Sequence, residues 1–215
     1  MWLSRRRVAR WVIPSLDSMF RLVDPHPDFH RSFLEAADEF IAEGREPYAG
    51  IVSLASSGDF PGVEFSRAGL ERPDEFRRYI DYLLADRFEE TPRPRDWVSC
   101  TVRWIVEEAD YLGRVSLRQQ LTDALLTWGG HIGYGVRPSA RGRGAATYAL
   151  SATLPLCHER GIDPALVTCD VDNVASRRTI EHNGGIYEDT RQGKLRFWVP
   201  TGHEPRDTPP RQSPW

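Results

Sequence analysis

"VRPSARGRGAATYAL", Val136 to Leu150, is the stretch on which the fold turns. It leaves an extended run, crosses Pro138, sets Gly142 and Gly144 among Arg141 and Arg143, and then becomes small and helix-forming. A helix N-terminus carries N–H groups without intrahelical partners and a partial positive charge, so it attracts phosphate. Glycines let the backbone curl around an anion with no Cβ in the way, and Ala145 and Ala146 keep the approach open. The arginines add charge at the rim. A plain helix start with solvated arginines explains the charges, but not glycines paired with small residues directly after a strand. The stretch reads as a pyrophosphate cradle.

Which pyrophosphate is decided by elimination and context. A P-loop needs Gly-Lys-Ser/Thr, and no lysine stands here. A dinucleotide fingerprint needs glycine or alanine where Thr147 stands, and more βα units than the remaining chain holds. Working outward, "FRLVDP" predicts a first strand, and Phe33, Leu34, Ala37, Phe40 and Ile41 predict a helix ending at Gly44. Residues 47 to 69 lack periodicity and read as loop. Pro73 opens a second helix with Phe76, Tyr79, Ile80, Leu83 and Leu84 on one face. "WVSCTVRWIVEE" and "LGRVSLRQQL" predict a hairpin, and "HIGYGV" a further strand. The helix from Gly144 to Gly161 is expected to kink or shorten at Pro155. "ALVTCD" reads as a buried strand, Asn173 as the cap of a helix reaching Asn183, and "IYED" with "LRFWVP" as a closing hairpin.

At 215 residues, with 40% hydrophobic and 27% charged, the chain suits one soluble mixed α/β domain. Its net charge of −3 gives no reason to expect nucleic acid. No apolar run approaches the roughly 20 residues that a membrane helix needs. Cys100, Cys157 and Cys169 form neither a disulfide framework nor a zinc pattern, which points to a cytoplasmic protein. The arginine-rich residues 1–18 read as a flexible extension, 19–200 as the folded domain, and the proline-rich 201–215 as a disordered tail.

The run Arg141 to Ala146 resembles the Arg/Gln-x-x-Gly-x-Gly/Ala signature of the GNAT superfamily of N-acetyltransferases, where this loop holds the pyrophosphate of coenzyme A. "GHIGYGVRPSARGRG" and "DNVASRRTIEHNGG" are similar to that family's fourth strand and its Asn-x-x-Ser helix. The resemblance spans about Trp97 to Trp198. It implies a twisted, mostly antiparallel sheet of six or seven strands, with a bulged and splayed fourth strand and flanking helices. It also implies acetyl-CoA as cosubstrate, no metal, and direct attack of a bound primary amine on the thioester in a ternary complex.

By the same resemblance, the backbone of Arg143, Gly144, Ala145 and Ala146 cradles the pyrophosphate, with Gly142 in the loop and Arg141 beside it. Val136 bonds the pantetheine arm, and the Tyr134 N–H polarises the thioester carbonyl. Gly133 and Gly135 suit the bulge. Asn173 and Ser176 order the pantetheine region, or merely cap a helix. The family's leaving-group tyrosine is replaced by Ile180, so Tyr134, Tyr187 or Ser116 would have to supply that proton, or the thiolate leaves unassisted. The subgroup acting on ribosomal-protein N-termini reads Glu-Ile-Gly-Tyr where this chain has His131-Ile132-Gly133-Tyr134. His131 is therefore the first candidate base, against a structural histidine. Glu107 and Glu108 are second, against a solvated hairpin end.

The acidic segment from Met19 to Asp96, with Tyr48, Phe65, Tyr79 and Tyr82, suits a small cationic amine; a peptide N-terminus is the other acceptor, and a homodimer fits the family. Two rival functions are a non-catalytic acyl-CoA-binding protein and a metal-dependent glycosyltransferase using Asp170 and Asp172. His26 and His30, either side of Pro27, form a weaker metal pattern.

Overall fold

The computed structural model describes residues 19–202, so the expected extension (1–18) and nearly all of the expected tail lie outside the described residues. Thr201, assigned to the tail from sequence, is buried, and its N–H and hydroxyl bond Asp163 and the Ile162 carbonyl. The folded unit therefore runs at least to that residue.

In chain order the elements are β1 (Phe20–Val23), α1 (His30–Ala42), β2 (Val52–Leu54), β3 (Val63–Phe65), α2 (Pro73–Ala85), β4 (Cys100–Glu107), β5 (Asp110–Arg118), β6 (Ile132–Val136), α3 (Ala145–Glu159), β7 (Ala165–Asp170), α4 (Val174–His182), β8 (Ile186–Arg191) and β9 (Lys194–Val199). Seven strands form one sheet in the order β1-β4-β5-β6-β7-β9-β8, and β2 and β3 form a separate small hairpin. That hairpin falls in the segment read as loop; such short strands carry too few positions to show a period. Every pairing in the large sheet is antiparallel except β6 with β7.

The helices cover opposite faces. On one face, Phe33, Ala36, Ala37 and Phe40 of α1 and Phe76, Tyr79 and Ile80 of α2 pack on Val102, Trp104, Val106 and Tyr111. Phe33 is the hub, with its ring 5.1 to 5.5 Å from those of Phe76, Tyr79, Trp104 and Tyr111. On the other face, Ala145, Ala149 and Leu150 of α3 and Ile180 of α4 pack on Val115, Leu117, Ile132 and Val167. Helix α3 runs unbroken through Pro155, contrary to the expected shortening. Pro155 has no N–H to offer the Ser151 carbonyl, and Ser151 is exposed, so water can take that bond.

The splay expected of the fourth strand is present, but the bulge is not in its pairing with β5. That register is regular from Gly113↔Val136 to Leu117↔Ile132. The irregularity of this region lies instead between β4 and β5, at Ile105/Val106. The opening arises because β6 meets β7 at one residue pair, Ile132↔Val167, and diverges beyond it.

Because Phe33 joins both helices to the sheet, Phe33→Ala is expected to cost about 3–5 kcal/mol. Urea unfolding of the two proteins measures it directly; a cost below about 1 kcal/mol would show that this aromatic cluster is not what holds α1 and α2 in place.

Candidate active site

Strand alternation sets the direction of the β6 backbone. Arg118 N–H donates to the His131 carbonyl and Arg137 N–H to the Leu112 carbonyl, which fixes the odd-numbered positions as those bonded to β5. The amides of Tyr134 and Val136 consequently aim toward β7, where the strands have parted. The Val136 carbonyl accepts from Arg141 Nε at 3.0 Å.

The cradle follows at the start of α3. Gly142 and Gly144 have φ of 75° and 90°, and a Cβ on either would meet nothing within 4 Å. L side chains resist that conformation, which is why glycine serves here. The space beside the helix N-terminus is thus open, as an anion site requires. From it a cleft of about 730 Å³ runs between α3 and α4, lined by Gly144, Thr147 and Ser151 on one side and Arg178, Thr179 and His182 on the other. The polar and cationic residues of its α4 wall escape the sequence reading, because on a helix face they look like ordinary solvated positions.

The loop arginines are not free to ring a phosphate. Arg141 pairs bidentately with Glu43 at 2.7 and 2.8 Å, and Arg137 and Ser139 grip Glu39. Although burial pushes the Glu39 carboxyl up, bonds from Arg137 and Ser139 hold it below the usual range. Arg143 makes two bonds to Glu107, at 2.7 and 2.8 Å. Glu107, a candidate base from sequence, is therefore bound to the cradle loop. Glu108 is exposed at the hairpin turn with φ of 49°, and its carbonyl accepts from Arg21; it is the solvated hairpin end.

His131, the first candidate base from sequence, is tied to β7. It is 9% exposed, its Nδ1 accepts from Leu166 N–H at 2.9 Å, and its backbone N–H donates to the Leu166 carbonyl at 2.7 Å. In the neutral ring, the lone pair that a base would use is thereby engaged. Burial, and then Arg118, hold the imidazole below its ordinary pKa, so it remains neutral.

Tyr134 reaches across the opening to α4: its hydroxyl lies 2.8 Å from Ser176 Oγ. Burial pushes its pKa well up, so the hydroxyl keeps its proton. Cys169 and Thr179 border this pair. Asn173 caps α4 by accepting from Ser176 N–H at 3.0 Å, the plain capping role. Tyr187 is 53% exposed and bonds Thr190, away from the opening, while Ser116 bonds the Gly133 carbonyl at 3.2 Å.

On the opposite face of β6, Gly133 and Gly135 bear no side chains, so this face is a shallow trough into which neighbouring side chains lean. Arg114, Ser116 and Arg118 of β5 line it, since Arg114 sits opposite Gly135 and Ser116 opposite Gly133. Tyr48 roofs one end; a Cβ on Gly135 would lie 2.3 Å from its ring. Of the acidity in the N-terminal segment, Asp86 bears on this trough through Arg118. Asp24, Asp38, Glu39, Glu43, Glu75 and Asp86 each pair with an arginine. These acids are therefore engaged within the fold. Burial pushes Asp86 up to about 6 against the pull of Arg93 and Arg118.

Asp170 pairs with Lys194, which occupies one carboxylate of the glycosyltransferase reading. His26 accepts from Asp28 N–H and His30 bonds the Leu70 carbonyl, so the two histidines serve separate bonds. No group of three or more His, Cys, Asp or Glu among the described residues could hold a metal ion, and no described helix is long and apolar enough to cross a membrane.

A family model of the GNAT acetyltransferase domain matches residues 61–186, more than half of the chain. A search of curated proteins finds no match. Among solved structures, the microcin C7 self-immunity acetyltransferase MccE, in complex with acetyl-CoA and AMP, aligns with a TM-score of 0.54 at 16% identity, over 84% of this chain and 92% of that one. RimL, a ribosomal-protein α-N-acetyltransferase in complex with coenzyme A, gives 0.51 at 16% identity, over 84% and 93%. Mycobacterium smegmatis RimJ, in complex with CoA-disulfide, gives 0.50 at 17%, over 84% and 80%. At these identities the likeness is one of fold.

The Arg143–Glu107 pair separates two roles for Glu107. Glu107→Gln should tighten acetyl-CoA binding by about two- to fivefold, because the cradle loses a competing negative charge, and should leave turnover intact. Calorimetry and a thiol-release assay read both. Loss of turnover would restore Glu107 as a base.

Proposed function

We propose a specific reaction for this chain, which belongs to the GNAT family of acetyltransferases and is an acetyl-CoA-dependent N-acetyltransferase: transfer of the acetyl group to a primary amine, by direct attack within a ternary complex. The observation that carries this reading is the single-point contact of β6 with β7, with the glycine cradle directly following. In this reading the parted strands give the cosubstrate, from the α3–α4 side, and the amine, from the trough side, access to the same stretch of β6.

In this reading the backbone of Arg143, Gly144, Ala145 and Ala146 receives the pyrophosphate, with Gly142 shaping the turn. The Val136 N–H binds the pantetheine arm, Arg178 supplies positive charge along the cleft, and His182 lines it. Acetyl-CoA brings an activated acyl group whose leaving thiol has a pKa low enough to depart readily. The Tyr134 N–H stabilises charge developing on the carbonyl oxygen. The amine enters from the trough on the other side. His131 and Glu107 hold structural bonds, so the proton that the amine sheds passes to water, which in turn restores the proton on the Tyr134 hydroxyl after it has been given to the sulfur.

The Tyr134 hydroxyl, held against Ser176, takes the place of the absent tyrosine at Ile180 and protonates the departing sulfur. Burial keeps this hydroxyl protonated, and its place against Ser176 on the β6 side of α4, not its acidity, makes it the candidate donor. A peptide N-terminus is the second acceptor class; RimL, similar in fold, is a protein acetyltransferase.

Tyr134→Phe keeps the ring and removes the hydroxyl. Its kcat should fall by about a hundredfold, with acetyl-CoA affinity changed by less than about threefold. Unchanged kcat under conditions where chemistry limits the rate would remove Tyr134 from the proton transfer.

A further inference from the structure

We propose that the trough takes an acceptor carrying a carboxylate or phosphate close to its amine, and that Arg118 holds this anion. The inference rests on the acetyl-transfer reading and names the substrate class of the same site.

Arg118 differs from most of the buried or half-buried arginines. Arg67, Arg87, Arg93, Arg137 and Arg196 are each matched to a carboxylate. Arg118 makes one polar side-chain contact among the described residues, from Nη1 to the Gly130 carbonyl at 3.3 Å. A guanidinium carries five N–H donors in a planar fork suited to carboxylate or phosphate, and most of Arg118's remain available. Its position is equally specific. The two terminal nitrogens lie 3.5 and 3.7 Å from where a Cβ would stand on Gly133. The glycine therefore lets the guanidinium lie against the strand, immediately beside the residue whose N–H faces the thioester.

The surroundings reinforce the charge. Arg114 lies on the same strand face and sits 5.7 Å from the centre of the Tyr48 ring, and Arg45 stacks on that ring at 4.5 Å. The nearby carboxylate, Asp86, lies 3.5 Å from Arg93. An acceptor amine without an anion would enter a positively charged trough, which opposes its own protonated form. An acceptor with an anion meets Arg118 and presents its amine one residue along, at Tyr134. Adjacent strand residues are about 3.3 Å apart, so the anion belongs within a few bonds of the nitrogen. That is the scale of an amino acid or an amino-alcohol phosphate.

The test uses the intact chain, acetyl-CoA and matched amines: amino acids against their amides, and phosphoethanolamine against ethanolamine. The first pairing isolates carboxylate and the second phosphate. The anionic member should have a kcat/KM at least about tenfold higher in one pairing or both, as expected for a charge-assisted bond. Arg118→Gln should erase that ratio and Arg118→Lys keep part of it, with acetyl-CoA affinity as the check on folding. Equal use of both members, or a preference that survives Arg118→Gln, overturns the anion site while acetyl transfer stands. Absence of thiol release with every amine, despite acetyl-CoA binding, instead overturns the transfer reading. Calorimetric titration of glycine and phosphoethanolamine into the protein–CoA complex then decides the site: binding that Arg118→Gln abolishes supports it, and no binding ends it.

Discussion

Everything at the centre of this molecule depends on two parallel strands touching once. Ile132 faces Val167, and just before that pair His131 is bonded to Leu166 through both its backbone N–H and its ring. Gly130, with φ of 67°, permits the close approach, since a Cβ there would lie 2.6 Å from the Leu166 carbonyl. Beyond this clasp nothing draws β6 back to β7. The outward-facing amides of Tyr134 and Val136 are left for a ligand, as parallel strands paired along their length could not leave them.

Charge holds the neighbouring loop. Nearly all positive charge in the chain is arginine, with Lys194 the single lysine. Glu39 of α1 and Glu43, the residue that caps its C-terminus, fix Arg137, Ser139 and Arg141. Exposed ion pairs contribute little singly, about 0–1 kcal/mol, but bidentate pairs in a linked set define geometry. The cradle is thus shaped before any anion arrives, and its attraction for phosphate rests on backbone N–H groups. On the other face stands Arg118, whose guanidinium is bonded to the Gly130 carbonyl and not to a carboxylate. The two faces of the opening therefore meet their ligands by different means.

Much of this is legible in the sequence where the cause is local. Gly142 and Gly144 announce left-handed turns, Asn173 announces a cap, and apolar spacing together with Pro73 and Asn173 places α1, α2 and α4 close to their observed bounds. What is not legible is non-local. Glu107 lies 36 residues before Arg143, and nothing nearby in sequence hints that they meet. His131 reads as a base because imidazole titrates near neutrality, yet its ring bonds a strand 35 residues away. Arg114, Ser116 and Arg118 read as the polar half of an alternating strand; only the fold shows that glycines opposite them let Ser116, Arg118 and the Tyr48 ring lie against β6. The short strands β2 and β3 carry too few positions to register a period.

The central claim is that the cradle at the start of α3 receives acetyl-CoA, and calorimetric titration of the purified chain tests it most directly. Acetyl-CoA should bind with a micromolar dissociation constant, and binding should vanish in Gly144→Trp, whose indole would fill the open space, while UDP-sugars with manganese produce no heat. Failure of acetyl-CoA to bind well-folded protein, or binding unaffected by the tryptophan, would contradict the account.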